Sequence, residues 1–265
     1  MSGTLTVVIP NYNKAGYLEK CVESIEGQTC KPEAVIIVDD GSTDGSQGVI
    51  DRLTKRYPNV RAFYKPKNSG VSNTRNTGLS LVNTEYVTFI DADDHYLNKE
   101  KLELEMKLQQ EKGGDVIAYS VTGFITPEGK HLTKKKDRSY YLCGNVYDDL
   151  LITRKWDSIM RDYVVKTETL RAAGGYNEDR SLFEDYELLL ILARDHEFYC
   201  TGEYGTAYTE GGGLSLKNKD SQTMIQEEII LSELKRLDDK HRRRILRKRK
   251  LLLFKRKVRS AIWKS

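Results

Sequence analysis

The sequence predicts an α/β fold, a mostly parallel sheet flanked by helices, followed by a helical, basic C-terminal extension. Along the first half of the chain, apolar stretches of strand length alternate with segments of helical period. The stretches are near-continuous apolar runs, which indicates strands buried on both faces and therefore a parallel sheet. Thirteen of the 43 Lys and Arg residues lie in 240–265, a segment without Asp or Glu, and the apolar residues among them follow a helical spacing.

The predicted elements start with a β-α-β unit and become less regular after residue 120. In chain order we predict strand 4–10, a helix around 18–25, strand 34–40, helix 46–56, strand 60–64, helix 71–81, strand 86–91, helix 99–112 and strand 115–120. A turn at 126–129 follows, residues 130–157 fit no element, and a strand at 162–166 precedes a short helix ending at Gly174 and a helix over 184–194.

The composition excludes several classes of site and indicates where the protein acts. The four cysteines form no C-x-x-C pair and no His stands at zinc-ligand spacing, which argues against a zinc cluster and a disulfide framework. The N-terminus shows neither a basic leader nor a long apolar stretch, and no run approaches the roughly 20 apolar residues of a spanning helix. We therefore expect a cytoplasmic protein.

Polar side chains follow three of the predicted strands, at the carboxyl end of each. They lie in 10–13 (Pro-Asn-Tyr-Asn), in 39–42 (Asp-Asp-Gly-Ser) and in 91–94 (Asp-Ala-Asp-Asp). Ligands of open α/β sheets bind outside the carboxyl ends of the strands. Three strand ends that carry carboxylates and an aromatic ring therefore predict a binding site at this edge.

Asp91 and Asp93 follow directly after an apolar strand, in the pattern D-x-D. Two carboxylates so placed can bind Mg²⁺ or Mn²⁺ and leave coordination positions for the phosphate oxygens of a ligand. A bound cation would also stabilise the negative charge that grows on a departing diphosphate. Taken alone, the pattern fits a solvated acidic turn equally well.

The first two strand ends offer further contacts to a ligand. In V-D-D-G-S-T-D, Gly41 permits a tight turn, and an Asp can accept a hydrogen bond from a ligand donor group. Tyr12 presents a ring face on which a nucleobase could stack. Packing of that ring on its own loop is an equally good interpretation.

Five motifs together resemble one family. P-N-Y-N-K-A-G-Y-L, V-D-D-G-S-T-D, N-S-G-V-S-N-T-R-N-T-G, F-I-D-A-D-D and F-E-D-Y-E-L occur in this order between residues 4 and 194. In order and spacing they resemble the family 2 inverting glycosyltransferases, which have the GT-A fold, a Rossmann-like, mostly parallel sheet flanked by helices. The resemblance implies sugar transfer from a nucleoside diphosphate sugar, with UDP the expected nucleotide and Mn²⁺ or Mg²⁺ the cofactor. The implied acceptor is a saccharide or a lipid-linked hydroxyl in cell-surface polysaccharide or glycolipid synthesis.

The resemblance also implies roles for individual residues. Donor binding is implied for Pro10, Tyr12, Asp40, Arg75, Asp91, Ala92 and Asp93. Pro10 and Tyr12 would frame and stack the nucleobase, which Asp40 would hydrogen-bond. Arg75 would support the nucleotide, Asp93 would ligate the metal, and Asp91 would lie near the ribose and the metal.

Asp185, in F-E-D-Y, is implied to be the base that deprotonates the acceptor hydroxyl, with Glu184 as the alternate. Inversion by a single displacement needs a carboxylate opposite the leaving diphosphate and within hydrogen-bond reach of the acceptor oxygen. Without the other motifs, this pair would fit first-turn acids that complement a helix dipole.

The loop that follows departs from the family pattern. Family members often carry a His or an Arg there, near the metal or the diphosphate, and neither residue type occurs between Gly202 and Leu216. We expect a loop in this region, with a glycine-rich lid at 211–213. The group that assists the diphosphate is not identified by the sequence.

We predict a catalytic domain over 1–215, with a donor half at 1–119 and an acceptor half at 120–215, and an extension over 216–265. We expect the choice of sugar to depend on residues 120–157. A non-catalytic module that binds sugar nucleotides or a membrane surface is the alternative from another class. It is disfavoured because every expected acidic position is present.

Residues 240–265 predict a basic amphipathic helix with Leu251, Phe254, Val258 and Ile262 at helical spacing. The rest of the chain holds 30 basic and 39 acidic residues, a net charge of −9. Such a helix fits the surface of an anionic membrane, and attachment to its inner face would bring the protein to a lipid-linked acceptor. Packing of the apolar stripe on the body or a partner chain fits equally well. No nucleic acid is expected, since no recognition motif accompanies the charge.

Overall fold

The structure, a computed structural model, describes residues 3–126, 140–153, 159, 161–180, 182–209 and 219–262. The strands within these residues are β1 (Leu5–Asn11), β2 (Ala34–Asp39), β3 (Val60–Tyr64), β4 (Tyr86–Phe89), β5 (His95–Tyr96), β6 (Ile117–Ile125), β7 (Val165–Lys166) and β8 (Phe198–Thr209). The helices are α1 (Ala15–Glu26), α2 (Ser46–Arg56), α3 (Val71–Ser80), α4 (Lys101–Glu111), α5 (Tyr147–Ile152), α6 (Thr167–Ala172), α7 (Glu184–Leu192), α8 (Lys219–Leu234) and α9 (Asp239–Ile262).

The main sheet confirms the predicted parallel architecture. Its strand order is β3-β2-β1-β4-β7, in which β1, β2, β3 and β4 are parallel and the short β7 is antiparallel. Every residue of β1, β2 and β4 is buried, because helices cover both faces of the sheet. The near-continuous apolar runs in the sequence have this origin.

Close packing of α3 on β1 depends on a glycine in the helix. A Cβ atom on Gly78 would lie 2.3 Å from Cγ1 of Val8, so the helix could not approach the strand this closely with any larger residue. Glycine is unfavourable in a helix interior, and a close backbone approach is the usual reason for its presence there. This contact fixes α3, and with it Arg75, relative to the carboxyl end of β1.

A second sheet, with order β5-β8-β6, differs from our prediction. β8 pairs in parallel with β6 along nearly its whole length, so the loop expected over 202–216 is wrong as far as Thr209. Polar residues and the glycines Gly202 and Gly205 interrupt the apolar pattern that would have indicated a strand. The expected glycine-rich lid at 211–213 lies outside the described residues.

The acceptor half contains other departures from the predicted elements. β6 extends to Ile125, five residues beyond the predicted end. The predicted strand 162–166 shortens to β7, and residues 161–162 form a turn. Within the segment that fitted no element, α5 spans Tyr147–Ile152, and most of the remainder lies outside the described residues.

The C-terminal extension is helical, as predicted, and the first part of α9 is fixed to the body. Ile245 is fully buried, and Asp148 of α5 pairs with His241 at 2.6 Å and with Arg244 at 2.5 Å. Arg249 hydrogen-bonds the carbonyl of Leu151. Among the described residues, none of the helices has both the length and the apolar character needed to cross a membrane.

Candidate active site

The carboxyl ends of β1, β2 and β4 meet at one edge of the main sheet, as the sequence predicts. Asn11 at the end of β1 lies opposite Asp39 of β2, and its amide donates to the Asp39 carboxylate at 2.7 Å. On the other side β1 pairs with β4 up to Phe89, two residues before Asp91. The three polar segments predicted at these strand ends therefore border the same edge.

Hydrogen bonds fix the loops after β1 and β2 to each other. Asn13, whose φ is 53°, accepts a bond from the amide of Thr43 at 2.8 Å. Gly41 has a φ of 71°, and a Cβ there would lie 2.8 Å from the backbone of Lys67, so the turn requires glycine as predicted. Tyr12 stands in this fixed loop with its side chain 45% exposed, which leaves the ring accessible to a ligand.

Asp40 lies beneath the loop of residues 68–70 and is only 2% exposed. Its carboxylate accepts hydrogen bonds from the backbone N–H groups of Ser69 and Gly70, each at 3.0 Å. The ammonium group of Lys65 is 2.7 Å away. Asp40 therefore holds the loop that leads into α3. Its hydrogen bond to a nucleobase stays a prediction, and the carboxylate oxygens would have to accept that bond in addition to those from these partners.

The carboxylates of Asp91, Asp93 and Asp94 lie together, with one oxygen of each within 4.8 Å of the others. Three carboxylates at one place form the oxygen-rich donor set that suits Mg²⁺ or Mn²⁺. Lys14 at the end of the β1 loop forms an ion pair with Asp93, with Nζ 2.6 Å from Oδ2. The side chain of Ala92 packs in the apolar core, so only its backbone can face a donor.

Five charged side chains alternate in sign across the site. Arg75, which is 2% exposed, donates to Glu184 at 2.8 Å and to Oδ1 of Asp91 at 2.9 Å. Arg161 lies 3.1 Å from Oδ2 of Asp91 and 3.8 Å from Oδ2 of Asp185. Four successive ion pairs therefore link the end of β4 to the start of α7, in the order Glu184, Arg75, Asp91, Arg161 and Asp185. We call these residues the charge chain.

The two aspartates of the charge chain have different surroundings. Burial acts to raise the pKa of Asp91, but the guanidinium groups of Arg161 and Arg75 outweigh it and hold that pKa below its usual value. Burial raises the pKa of Asp185, and this effect exceeds the opposite effect of Arg161. The negative charge of the neighbouring Glu184 raises the pKa further. Asp91 thus stays ionised, and Asp185 is the better proton acceptor of the two.

A strained residue directs the acidic pair of α7 into the site. Phe183, immediately before the helix, has a φ of 64°, which is unusual for an aromatic residue. Strain of this kind persists where the surroundings over-determine the backbone, and it is frequent at functional sites. Tyr186, fully buried with its hydroxyl donating to the carbonyl of Leu150 at 3.0 Å, anchors the first turn behind it.

Three charged residues of the site are absent from the set that the sequence predicts. Lys14 stands inside the motif P-N-Y-N-K and Asp94 ends the motif F-I-D-A-D-D, so the sequence contains both in predicted site segments without giving either a role. Arg161 precedes the predicted strand 162–166 and belongs to none of the five motifs. The one hint in the sequence is that the acceptor half lacks the His or Arg that family members often carry after the base, so another cation could take its place.

A protein-family model described as Glycosyl transferase family 2 matches residues 6–163, more than half of the chain. Among curated proteins, the chondroitin synthase of Pasteurella multocida (strain Pm70) is 28% identical over 237 residues, 88% of this chain and 23% of that protein. The chain spans 19% to 51% of the length of eight curated relatives that it matches.

Solved structures resemble most of this architecture. Residues 1–349 of Staphylococcus aureus TarS, in complex with UDP-GlcNAc, align with a TM-score of 0.71 at 19% identity, covering 92% of this chain and 70% of that one. The mannosyltransferase PcManGT from Pyrobaculum calidifontis, in complex with GDP-Man and Mn²⁺, aligns with a TM-score of 0.62 at 18% identity, covering 86% and 61%. At these identities the likeness concerns the fold.

Proposed function

This chain belongs to glycosyl transferase family 2 and has the GT-A fold, and we propose that it moves a sugar with inversion from a UDP-sugar to a hydroxyl of a saccharide or lipid-linked acceptor. The acceptor would be a growing cell-surface polysaccharide or a glycolipid. Names among the matched relatives, such as chondroitin synthase, support a role in polysaccharide synthesis.

The charge chain is the observation that carries this proposal. It connects Asp91, a member of the acidic group that follows β4, with Asp185 at the start of α7. A direct displacement needs the leaving diphosphate on one face of the sugar and a proton acceptor on the other. In this arrangement the donor would lie along the ends of β1, β2 and β4, and the acceptor hydroxyl would approach Asp185.

Asp185 is the base in this proposal. Its buried position raises its pKa, and a carboxylate of raised pKa takes a proton from an acceptor hydroxyl more readily than an ordinary one. Glu184, the alternate from the sequence, is bound to Arg75 at 2.8 Å and is mostly buried. These contacts favour a structural role for Glu184.

Asp93, Asp91 and Asp94 would hold Mn²⁺ or Mg²⁺. Asp93 is the first choice as ligand, because Asp91 has both oxygens paired with arginines and Lys14 at Asp93 can move aside at the partly exposed rim. The cation would neutralise charge on the diphosphate as the glycosyl bond breaks.

Release of nucleoside diphosphate tests this function. The purified protein is incubated with a panel of UDP-, GDP- and dTDP-sugars, with and without Mn²⁺ and with acceptor mixtures. We expect release from a UDP-sugar that requires Mn²⁺ and rises when an acceptor is added. If no donor is consumed with any acceptor mixture, the result favours the alternative of a non-catalytic sugar-nucleotide or membrane-surface module.

The proposal extends to a cytoplasmic location at the inner face of a membrane, through α9. The face of α9 opposite the buried Ile245 carries Phe254, which is 64% exposed, and Leu251 lies near it at 55%. Arg243 and Arg247 lie on the same face and have no acidic partner among the described residues. Exposed apolar residues interleaved with cations fit an anionic lipid surface.

Vesicle flotation tests the membrane contact. The full chain is compared with a chain ending at Lys250, which keeps Ile245 and Arg249 and therefore the attachment of α9 to the body. We expect the full chain to float with anionic vesicles and not with neutral ones, and the shortened chain to remain in solution. Equal flotation of both chains would exclude this role for the end of α9.

A further inference from the structure

Arg161 joins the two halves of the site but has hydrogen-bonding capacity left over. Its side chain is 13% exposed, with Nη2 3.1 Å from Asp91 and Nη1 3.8 Å from Asp185. Its Nε and Nη1 atoms are buried and have no hydrogen-bond partner among the described residues. Buried donors of this kind are costly, and their retention calls for a reason beyond stability.

The residue after Arg161 is held by a buried ion cluster. Lys101 of α4 is fully buried and donates to the backbone carbonyl of Asp162 at 2.7 Å and to Glu105 at 2.8 Å. The hydroxyl of Thr206 in β8 donates to the Asp162 carboxylate. The ring of Tyr96 in β5 lies 4.8 Å from the Lys101 ammonium. We call this set, Lys101, Glu105, Asp162, Thr206 and Tyr96, the buried clamp.

The buried clamp gives the turn at 161–162 a fixed position. Lys101 of α4 and Thr206 of β8 bind Asp162 directly, and Tyr96 of β5 packs against Lys101. The buried ion pair between Lys101 and Asp162, 3.6 Å apart, favours a single geometry because leaving either charge alone is unfavourable. The backbone of Arg161 therefore cannot shift without breaking this cluster. Its guanidinium therefore contacts Asp91 and Asp185 from a backbone position that is fixed.

We propose that Arg161 is a positioning residue for the transfer reaction, which holds the Asp185 carboxylate in register with Asp91 and is itself held by the buried clamp. The inference rests on the proposed function, in which Asp91 lies on the donor side and Asp185 on the acceptor side. A displacement of about 1 Å between reacting groups can cost about 100-fold in rate. One planar guanidinium that contacts both carboxylates restricts their separation, and an ammonium group could not.

Other cations of the site are already committed elsewhere. Arg75 contacts Asp91 and Glu184, and Lys14 contacts Asp93. Within the described part of the chain, Arg161 forms the ion pair to Asp185. Replacement of Arg161 should therefore change the placement of Asp185 more than the binding of the donor.

The first test replaces Arg161 by Lys, which keeps the charge and removes the two-armed contact. Turnover is measured with a donor that the wild-type protein consumes, and UDP affinity is measured by calorimetry in Mn²⁺. We expect kcat to fall about 100-fold, with the Kd for UDP changed less than about threefold. Arg56→Lys, an exposed arginine paired with Glu23, is the control and should behave as wild type. Loss of UDP affinity with kcat preserved, or no change in either, would overturn the inference.

The second test asks whether the buried clamp acts through Arg161. Thr206→Val removes the hydroxyl that binds Asp162, and Thr206→Ser keeps it. We expect Thr206→Val to lower kcat by about tenfold and Thr206→Ser to restore it, with melting temperature confirming that both fold. In an Arg161→Lys background, Thr206→Val should lower kcat no further, because the two changes act on one contact. Additive losses would show that the clamp acts by another route.

Asp185→Asn separates this inference from the proposed function. If Asp185→Asn keeps near-normal turnover, the base assignment is wrong and the proposed function needs another base. If Asp185→Asn is inactive while Arg161→Lys turns over normally, the positioning role alone is wrong.

Discussion

Lys14 and Asp93 form an ion pair at the rim of the candidate site, with the ammonium nitrogen 2.6 Å from a carboxylate oxygen. Asp93 is also one of three carboxylates that lie close enough together to hold a cation. A lysine ammonium and a divalent metal compete for the same oxygen. The ion pair is partly exposed and therefore weak, so a metal can displace the Lys14 ammonium, which water can then solvate.

Removing the Lys14 charge should strengthen metal binding in the absence of a donor. We expect Lys14→Met to bind Mn²⁺ about tenfold more tightly than the wild type, because a positive charge next to the ligand opposes the cation. Asp93→Asn should weaken Mn²⁺ binding and with it metal-dependent donor binding. Electron paramagnetic resonance titration of free Mn²⁺ measures the first effect. Unchanged Mn²⁺ affinity in Lys14→Met would place the metal away from Asp93.

The base assignment predicts that Asp185→Asn abolishes transfer while donor binding persists. Loss of a general base typically lowers turnover by about 10² to 10⁴. Glu184→Gln is the comparison, since the amide can still accept the bond from Arg75, and its loss of turnover should be smaller. Single-turnover transfer and calorimetric UDP binding separate the two properties. A larger loss in Glu184→Gln than in Asp185→Asn would exchange the two roles.

Local sequence patterns predict the main sheet, and the combination of five motifs predicts most of the charge chain. β1, β2 and β4 are continuous apolar runs with both faces buried, and the polar residues that follow them meet at one edge. Arg75, Asp91 and Asp185 stand in motifs whose order and spacing resemble one family, and their roles are implied by that resemblance. The strands are local in the chain, so a pattern of a few residues is sufficient to identify them, whereas the site residues are indicated only by the five motifs together.

Arg161 and β8 depend on contacts that no local pattern contains. Asp162, which fixes Arg161, is held by Lys101, 61 positions earlier in the chain, and by Thr206, 44 positions later. β8 lacks apolar alternation and owes its strand conformation to β6, with which it pairs at a separation of about 80 residues. Burial of Lys101 also runs against the expectation that a lysine is solvated.

Two Gly→Ala substitutions in helices should have opposite effects on stability, because Gly78 packs closely against β1 and Gly48 does not. Helix propensity alone would favour Ala at Gly78 by about 1 kcal/mol, but the new methyl group would lie 2.3 Å from Cγ1 of Val8. We expect Gly78→Ala to destabilise the protein by about 1–3 kcal/mol. Gly48 in α2 faces open space, so Gly48→Ala should stabilise by about 0.5 kcal/mol. Urea denaturation measures both, and a stabilised Gly78→Ala would contradict the packing of α3.

Glu105 in the buried clamp makes stability depend on pH near neutrality. Burial raises the pKa of Glu105 from 4.5 to about 7, although Lys101 acts in the opposite direction and Asp162 adds to the rise. The folded protein therefore binds a proton that the unfolded chain releases between these two values. The stability from this group is fully present below pH 4.5 and is lost as the pH rises through about 7.

Glu105→Gln should remove this pH dependence, because the amide is uncharged and can still accept the bond from Lys101. The difference in melting temperature, variant minus wild type, should increase from pH 5 to pH 8. Over that range only the wild type loses the stability that comes from the Glu105 proton. Titrations of groups remote from Glu105 are common to both proteins and cancel in the difference. Melting temperatures at half-unit intervals of pH give the curve. A difference that stays constant from pH 5 to pH 8 would mean that Glu105 is ionised throughout, paired with Lys101.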